Sequence, residues 1–394
     1  MSPAEKNALP ILNVDRIVVF LFVLFMLSDE ARTLLNNSGL RWAYLLLLSV
    51  GIGYVVTPDA HWAAHKLDIL DVPRGRKDHD KATALLGGVA IYIAFAVTVL
   101  RNFAFTPELK GVALGGTLML IVGVIDDVRE LRAPVKLLSQ TAAVAILIYH
   151  GVVISFLPEG PWGTVGEWIL TAVWVIGITN AINFLDGMDG LAAGSCCINL
   201  VFFGLVALLN PQSDMVFLAL PLVGACLSFL VYNFRPRRPA AIFLGDGGST
   251  FLGFMVAGIA VMGDWATDHA VRLAVPVLIL GVPIFDMTFT TWMRVKSGQV
   301  RSLREWLEFT GRDHIHHRLE DLRIGRRGAV LVIYIVTIWL GLSALALQEA
   351  TGFNAALQLG QSVIVFVLLG SFMVYVSKQY AEIERTVGKN DSSE

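Results

Sequence analysis

The sequence has little charge and very few cysteines. Only 16% of its 394 residues are charged and 55% are hydrophobic, whereas about one quarter of a soluble domain is charged. This balance excludes a soluble globular protein and indicates a membrane protein. The cysteines, Cys196, Cys197 and Cys226, all fall in apolar runs, which favours packing over a disulfide or metal framework.

The chain also lacks a convincing repeat, but it contains eleven apolar runs. These runs cover residues 41–56, 85–103, 111–125, 135–154, 165–179, 190–209, 215–233, 249–264, 272–294, 327–347 and 356–378. Because a helix needs about 20 apolar residues to cross a bilayer, they predict an all-α integral membrane protein, a polytopic bundle of about 11 transmembrane helices with catalytic cytoplasmic loops. We expect one domain over residues 1–378 and a polar cytoplasmic tail at 379–394. The shorter run at 17–27 fits either a span or an interfacial helix, and it lacks the cleavage site of a signal peptide.

Lysine and arginine are concentrated in one set of alternate loops. That set comprises residues 66–81, 129–132, 235–238 and 296–327, whereas the other set holds Arg101, Lys110 and Arg272. Loops rich in Lys and Arg face the cytoplasm. We therefore predict that the first set is cytoplasmic, and every polar motif described below falls on that side.

Two asparagines and two aspartates interrupt the apolar sequence NAINFLDGMDGLAAG. Asn180, Asn183, Asp186 and Asp189 are three residues apart, so each neighbouring pair could share a helix face. Three such steps turn through about half a circle, however, and one straight helix would separate the two ends. The intervening glycines allow a break. The pattern predicts a helix that ends at the membrane surface with its polar groups gathered beside a turn.

Asp126 and Asp127 end another apolar run. Adjacent carboxylates at a helix C-terminus oppose the helix dipole, so a divalent cation or a proton transfer explains them better than a solvated turn. Lys136 is the first cation after this pair. It either serves the same site or extends towards the membrane surface as an ordinary interfacial lysine.

Asp246 lies in the glycine-rich sequence FLGDGGSTFLGF, which leads into an apolar run. Glycines let a backbone approach a phosphate closely, and Mg²⁺ is usually held by only one or two carboxylates. The sequence is not a Walker motif, and an ordinary turn before a span is the alternative interpretation.

Two basic segments could bind anions. Arg76, Lys77 and His79 precede a glycine pair that opens a predicted helix, where an anion or a simple positive flank would both fit. The sequence HIHHR, which we call the histidine segment, contains His314, His316, His317 and Arg318. Arginine and protonated histidine give charge-assisted hydrogen bonds to phosphate oxygens, so we favour polyphosphate over zinc for this segment.

In this order along residues 68–325, the motifs resemble those of the polyprenyl-phosphate N-acetylhexosamine-1-phosphate transferases. The HIHHR form is similar to the initiator branch of that family. The resemblance implies transfer of N-acetylhexosamine 1-phosphate, with GlcNAc as the default sugar, from a UDP-sugar to undecaprenyl phosphate. UMP would leave, and the product would begin a bacterial surface glycan of the O-antigen, common-antigen or teichoic-acid type. It also implies the bacterial inner membrane, with the active site on the cytoplasmic face.

The resemblance further implies roles for individual residues. Asp246, with Asp127, would bind Mg²⁺, for which Mn²⁺ is an alternative. Asp126 and Asp127 would deprotonate or orient the lipid phosphate or act as a nucleophile, and Asp186 and Asp189 would complete the catalytic group. The substrates would be held by Lys136, Asn183, His314, His316, His317 and Arg318, with Arg76, Lys77 and His79. Asp286 within its span is assigned either a function or a pairing with a neighbouring helix.

Three other functions are compatible with parts of the sequence. A lipid I synthase-type transferase of phospho-MurNAc-pentapeptide would share most motifs. A secondary transporter for an anionic solute usually places its charges near the membrane midplane, and here they lie at one surface. A membrane scaffold would explain the basic loops but not the aspartates. We expect the membrane lipids and the two substrates as partners, and no nucleic acid. Both a monomer and a homodimer are compatible with the sequence.

Overall fold

The computed structural model describes residues 13–72, 82–210, 212–266, 269–302, 305, 311, 313–320 and 324–391. The helices are α1 Val14–Met26, α2 Asp29–Asn37, α3 Arg41–Lys66, α4 Gly87–Asn102, α5 Pro107–Val128, α6 Ala133–Tyr149, α7 Pro161–Leu185, α8 Leu191–Leu209, α9 Ser213–Asn233, α10 Gly245–Met262, α11 His269–Ile279, α12 Gly281–Lys296, α13 Ile315–Leu319, α14 Gly325–Leu347 and α15 Gly352–Asp391. Two short strands, β1 Leu70–Asp71 and β2 Thr83–Ala84, pair antiparallel.

The prediction of an all-α polytopic membrane protein is confirmed. Across the described ranges, eight helices are long and apolar enough to cross a membrane, and a ninth span is formed if α11 and α12 count as one. Helices α4 and α6 are apolar but shorter. Each of the eleven apolar runs therefore lies on helical structure, although length and composition support eight or nine spans rather than eleven.

The chain divides into two compact units, Met1–Trp265 and Ala266–Glu394. In the first unit, α10 is the central helix and packs against α4, α5, α7 and α8. Of its apolar window, 83% is buried inside the protein, the highest share among the candidate spans. The sequence of α10 explains this position, because an apolar helix with small residues can pack on all sides.

Glycines bring the backbones of three helices together at one end of α10. A Cβ on Gly88 of α4 would lie 2.2 Å from the Cα of Gly248, and one on Gly123 of α5 would lie 2.5 Å from the Cα of Gly247. No side chain fits at such separations. The glycines of FLGDGG therefore serve close helix packing, and this packing places Asp246 where α4, α5 and α10 meet.

Helix α1 is short, but ion pairs fix both of its ends. Arg16 at its start pairs with Asp59 near the end of α3. Asp29, just beyond its end, pairs with Arg101 at the far end of α4. With 13 residues, α1 is shorter than the about 20 residues that a membrane span needs, and it is not among the helices long and apolar enough to cross a membrane. Both interpretations of residues 17–27, a span and an interfacial helix, therefore stay predictions.

In the second unit, α11 and α12 are bent by 80° at a break of one residue. Asp286 lies in α12 and is 2% exposed. If residues 272–294 formed one straight span, Asp286, about eight residues from its end, would lie about 12 Å deep. Because α11 and α12 are bent, they do not share one axis. The depth of Asp286 in the membrane therefore does not follow from its distance along α12.

Candidate active site

Polar side chains collect at one end of the first unit, where helix starts and helix ends meet. Helices α5 and α7 end there, and α6, α8 and α10 begin there. The segment before α4 is tied to the segment before α10, since Gly87 and Gly88 donate backbone hydrogen bonds to Phe243 and Leu244 at 3.0 and 2.9 Å. This end of the bundle is therefore built from residues far apart in the sequence.

Asp127 holds the start of α10. Its two carboxylate oxygens accept hydrogen bonds from the backbone N–H groups of Asp246 and Gly247 at 2.8 and 3.1 Å. The negative charge thus complements the dipole of α10, although it opposes the dipole of its own helix. Gly245 has φ +75°, and a Cβ there would lie 2.6 Å from Asp127 Oδ2, so the contact requires glycine.

Lys136 lies between two carboxylates. It forms an ion pair with one oxygen of Asp126 and lies 3.5 Å from Asp246 Oδ2. The other Asp126 oxygen accepts from the backbone N–H of Leu131 at 2.7 Å. The Asp126 side chain is only 5% exposed, whereas that of Asp246 is 40% exposed. Asp246 is therefore the more accessible of these two acidic groups.

Asn183 fixes the remaining oxygen of Asp246. Its Nδ2 donates to Asp246 Oδ1 at 2.9 Å and to Ser249 Oγ at 2.8 Å. Asn180, one helical turn earlier, instead exchanges hydrogen bonds with the Gln140 amide at 2.9 and 3.0 Å. Within the predicted row of four polar residues, Asn183 thus contacts the acidic centre and Asn180 joins α7 to α6.

The predicted break after α7 is confirmed. The helix ends at Leu185, Asp186 caps it, and Gly190 adopts φ +83° before α8 begins. The pKa of Asp186 lies well above its ordinary range because of burial and then because of the charges of Asp246, Asp127 and Asp189. The structure thus brings a fourth and a fifth carboxylate close to Asp126, Asp127 and Asp246.

Asp189 accepts a hydrogen bond from the backbone N–H of Ala240 at 2.9 Å. Asn233 at the end of α9 supports the same turn, because it accepts from Gly190 N at 2.6 Å and donates to Ile242 O at 2.9 Å. Sequence reasoning missed Asn233, as well as Gln140 and Ser249. The available signal was a polar residue next to the end of an apolar run, which is too common to identify a site.

The side chains of the acidic site fit one kind of metal ion better than another. In the part of the chain that the structure describes, no group of three His, Cys, Asp or Glu side chains could hold one. This excludes a zinc centre built from three such side chains among those residues. A magnesium ion commonly uses one or two carboxylates and completes its shell with water and substrate phosphate. The exposed Asp246 carboxylate, among several negative charges, fits that ion.

The histidine segment lies in the second unit and is anchored by Asp286. The Asp286 oxygens contact His314 Nδ1 at 2.9 Å and the backbone N–H of Ile315 at 2.7 Å. His316 and His317 follow in α13, with ring centroids 4.2 Å apart. Because adjacent helical residues point in different directions, this geometry does not favour a zinc site shared by these two histidines.

A second anchor holds the other side of the segment. Arg294 of α12 donates two hydrogen bonds to Asp313 at 2.7 and 2.6 Å. Burial opposes ionisation of the Asp313 carboxyl, but the hydrogen bonds and the charge of Arg294 hold its pKa below the ordinary value. Arg318 donates from Nε to the carbonyl oxygen of Asp313 at 2.7 Å. Arg294 and Asp313 were also missed from the sequence.

Of the predicted site residues, the first unit brings one group together. Asp126, Asp127, Lys136, Asn183, Asp186, Asp189 and Asp246 belong to that group. The histidine segment is assembled separately within the second unit. Arg76, Lys77 and His79 lie outside the described residues, so their assignment stays a prediction.

The geometry defines a polytopic membrane protein with a carboxylate-rich site at one end of its helix bundle. Comparison with known proteins specifies the class further. The family model for glycosyl transferase family 4 matches residues 109–264, a range that includes Asp126, Asp127 and Asp246.

Curated relatives match over most of the chain. The Bacillus subtilis (strain 168) protein named "Probable undecaprenyl-phosphate N-acetylglucosaminyl 1-phosphate transferase" is 34% identical over 325 residues, which cover 81% of this chain and 88% of the relative. The decaprenyl-phosphate N-acetylglucosaminephosphotransferase of Mycobacterium leprae (strain TN) is 30% identical, with 79% and 85% covered. The undecaprenyl-phosphate alpha-N-acetylglucosaminyl 1-phosphate transferase of Escherichia coli (strain K12) is 25% identical, with 70% and 75% covered.

These matches decide the classification. The chain belongs to glycosyl transferase family 4 and is an integral membrane transferase. The resemblance inferred from the motifs is confirmed at the level of the family.

Proposed function

We propose that this enzyme transfers GlcNAc 1-phosphate from UDP-GlcNAc to undecaprenyl phosphate and releases UMP. The names of its relatives, which specify a polyprenyl phosphate and an N-acetylglucosaminyl 1-phosphate group, support this proposal. The observation that carries it in the structure is the Asp246 carboxylate. This carboxylate is accessible from solvent. Asn183 and Lys136 contact its oxygens, and Asp127 holds its backbone N–H at the start of α10.

The reaction joins two phosphate groups. An oxygen of the lipid phosphate forms a bond to the phosphorus that carries the sugar, and the bond from that phosphorus to the bridging oxygen breaks, with its electron pair leaving on UMP. The two reactants are both anionic, so the main requirement is to neutralise their charges and to hold them in line. A Mg²⁺ ion, which Asp246 would hold, supplies the larger part of that charge, and Mn²⁺ is the alternative ion.

The residues around Asp246 supply positioning and the remaining charge. Lys136 already lies between Asp126 and Asp246, so its ammonium group can turn to a substrate phosphate without a large movement. Asp127 keeps the Asp246 backbone in place through two hydrogen bonds. Asn183 orients the carboxylate, because its amide donates to one of the two oxygens. Asp126 and Asp186 are the remaining carboxyls that could receive a proton from the lipid phosphate.

The proposed location is the cytoplasmic face of the bacterial inner membrane. In the first unit, the basic loops at 129–132 and 235–238 lie at the helix ends that carry the acidic site, and such loops stay in the cytoplasm. A soluble, polyanionic sugar nucleotide is available on that side. The lipid substrate would enter from the membrane, so the two phosphates would meet at the interface.

One assay tests the reaction and the sugar together. Purified protein in detergent is incubated with undecaprenyl phosphate, Mg²⁺ and, in separate reactions, UDP-GlcNAc, UDP-GalNAc and UDP-MurNAc-pentapeptide, and UMP is measured. We expect the fastest UMP release with UDP-GlcNAc and none without lipid. Faster release with UDP-MurNAc-pentapeptide would replace the proposal by lipid I synthesis. An absence of UMP with every donor would refute phosphosugar transfer from these donors.

A further inference from the structure

A chain of hydrogen bonds passes through His314 in the second unit. Asp286 Oδ2 lies 2.9 Å from His314 Nδ1, and His314 Nε2 lies 3.3 Å from a terminal nitrogen of Arg294. Arg294 also donates twice to Asp313, which directly precedes His314. Asp286, Arg294 and His314 are 2%, 4% and 6% exposed. These three hydrogen-bonded side chains are therefore shielded from water.

The chemistry of these partners sets the state of the imidazole. An ionised carboxylate only accepts hydrogen bonds, and a guanidinium only donates them. His314 must then carry its proton on Nδ1, where it donates to Asp286, and accept from Arg294 at Nε2. A protonated imidazole would place two donors against each other at Nε2. This pattern of donors and acceptors fits the Nδ1–H tautomer of His314.

The same two anchors position the rest of the segment. The second Asp286 oxygen accepts a hydrogen bond at 2.7 Å from the backbone N–H of Ile315, and Ile315 is the first residue of α13. The carbonyl oxygen of Asp313 accepts from Arg318 Nε at 2.7 Å. A shift of Asp286 or Asp313 would therefore displace His316, His317 and Arg318, which follow in the same short helix.

We propose that Asp286, Arg294 and His314 are positioning residues, which fix α13 so that the neighbouring side chains, Arg318 above all, can bind substrate phosphate. His314 is then a buried link between Asp286 and Arg294 and not itself a phosphate ligand. This inference rests on the proposed function wherever enzyme activity is the measurement. It changes the role that the sequence suggested for His314 and gives Asp286 a role that the sequence left open.

Two substitutions of His314 separate the link from a ligand. In His314→Asn the amide nitrogen takes the place of Nδ1 and can still donate to Asp286. In His314→Gln the amide lies nearer the former Nε2, so the bond to Asp286 is lost. Since a misplacement of about 1 Å can reduce a rate about 100-fold, we expect a loss of roughly 100-fold in kcat for His314→Gln and of no more than about 10-fold for His314→Asn. A larger loss for His314→Asn than for His314→Gln would overturn the proposal. That result is expected if His314 binds phosphate through Nε2, because only glutamine keeps a donor near that position.

A double-mutant cycle tests whether Asp286 acts through α13. Asp286→Asn and Arg318→Ala should each lower kcat/KM about 100-fold, and together they should cost far less than the product of the two losses, because the first change already displaces Arg318. Independent effects that multiply would contradict a positioning role. Asp214→Asn, on an exposed aspartate at the start of α9, serves as the matched control and should keep full activity.

One measurement does not depend on the reaction. The nitrogen chemical shifts of ¹⁵N-histidine-labelled protein should include one neutral Nδ1–H imidazole at pH 7 that disappears in His314→Asn and changes in Asp286→Asn. A signal of the Nε2–H form for His314 would overturn the inference even in a fully active enzyme. A protein that shows the expected signal but releases no UMP would refute the proposed function and keep the structural part of this inference.

Discussion

At the scale of single residues, the acidic cluster divides into groups that build the site and a group that can receive a ligand. Both carboxylate oxygens of Asp127 accept hydrogen bonds from the backbone of α10, and Asp126 contacts Lys136 and Leu131. Asp246 is the more exposed carboxylate. Three aspartates at one end of the helix bundle thus have different tasks, and the difference lies in which hydrogen bonds they already make.

The first prediction concerns Asp246. Asp246→Asn removes the negative charge that we assign to Mg²⁺ binding, so UMP release should fall by at least about 1,000-fold and should not recover with added Mg²⁺. Chelation of divalent ions in the wild-type enzyme should give the same loss. The measurement is the initial rate over a Mg²⁺ titration. Near-normal turnover of the variant would remove Asp246 from the metal site.

The second prediction concerns Asp127. In Asp127→Asn one of the two acceptors becomes a donor, which faces a backbone N–H at the start of α10. We expect a loss of stability of about 1–3 kcal/mol, measured by unfolding in detergent, together with a reduced rate. A variant with unchanged stability and a loss of activity alone would indicate that Asp127 acts chemically and does not serve mainly to hold the helix.

At the scale of helices, close packing through glycine sets the position of the site. The central helix α10 touches α4 and α5 at Gly248 and Gly247, where a Cβ on the facing glycine would overlap the backbone. The eleven apolar runs predicted the helices because hydrophobic length is a local property. The order in which they pack was beyond prediction, since glycines in a membrane span have many possible partners.

The third prediction tests this packing. Gly88→Ala places a Cβ 2.2 Å from the Cα of Gly248, so α4 and α10 must separate, and the thermal unfolding midpoint in detergent should fall by several degrees along with activity. Gly177→Ala on α7 is the matched control, because a Cβ there has no neighbour within 4 Å. Equal midpoints for the two variants would show that the contact between α4 and α10 is not tight.

At the scale of the whole molecule, the charge in the loops predicts the orientation in the membrane, and α1 is the first helix whose crossing can be tested. The three cysteines are buried, so the wild-type protein should not react with a membrane-impermeant maleimide. This provides a silent background for cysteines introduced at exposed positions. Asn13, just before α1, and Ser38, just after α2, are suitable because both are exposed.

The fourth prediction tests whether α1 crosses the membrane, with its N-terminal end on the proposed cytoplasmic side. In intact spheroplasts the maleimide should label Ser38→Cys but not Asn13→Cys, which should react only after the membrane is permeabilised. Equal labelling of both from the outside would place α1 on the membrane surface. Labelling of Asn13→Cys alone would invert the proposed orientation and move the active site to the outer face.

The sequence by itself determined the membrane class, the helical runs and the chemistry available for the site, because apolar length, spacing and side-chain type can be read locally. Only the tertiary structure decided the partners. Asp127 accepts a hydrogen bond from the backbone of Asp246, 119 residues later, and Asp286 anchors a histidine 28 residues away. Hydrogen bonds of that kind depend on how helices pack in three dimensions, and the spacing of residues along the chain carries no record of that packing.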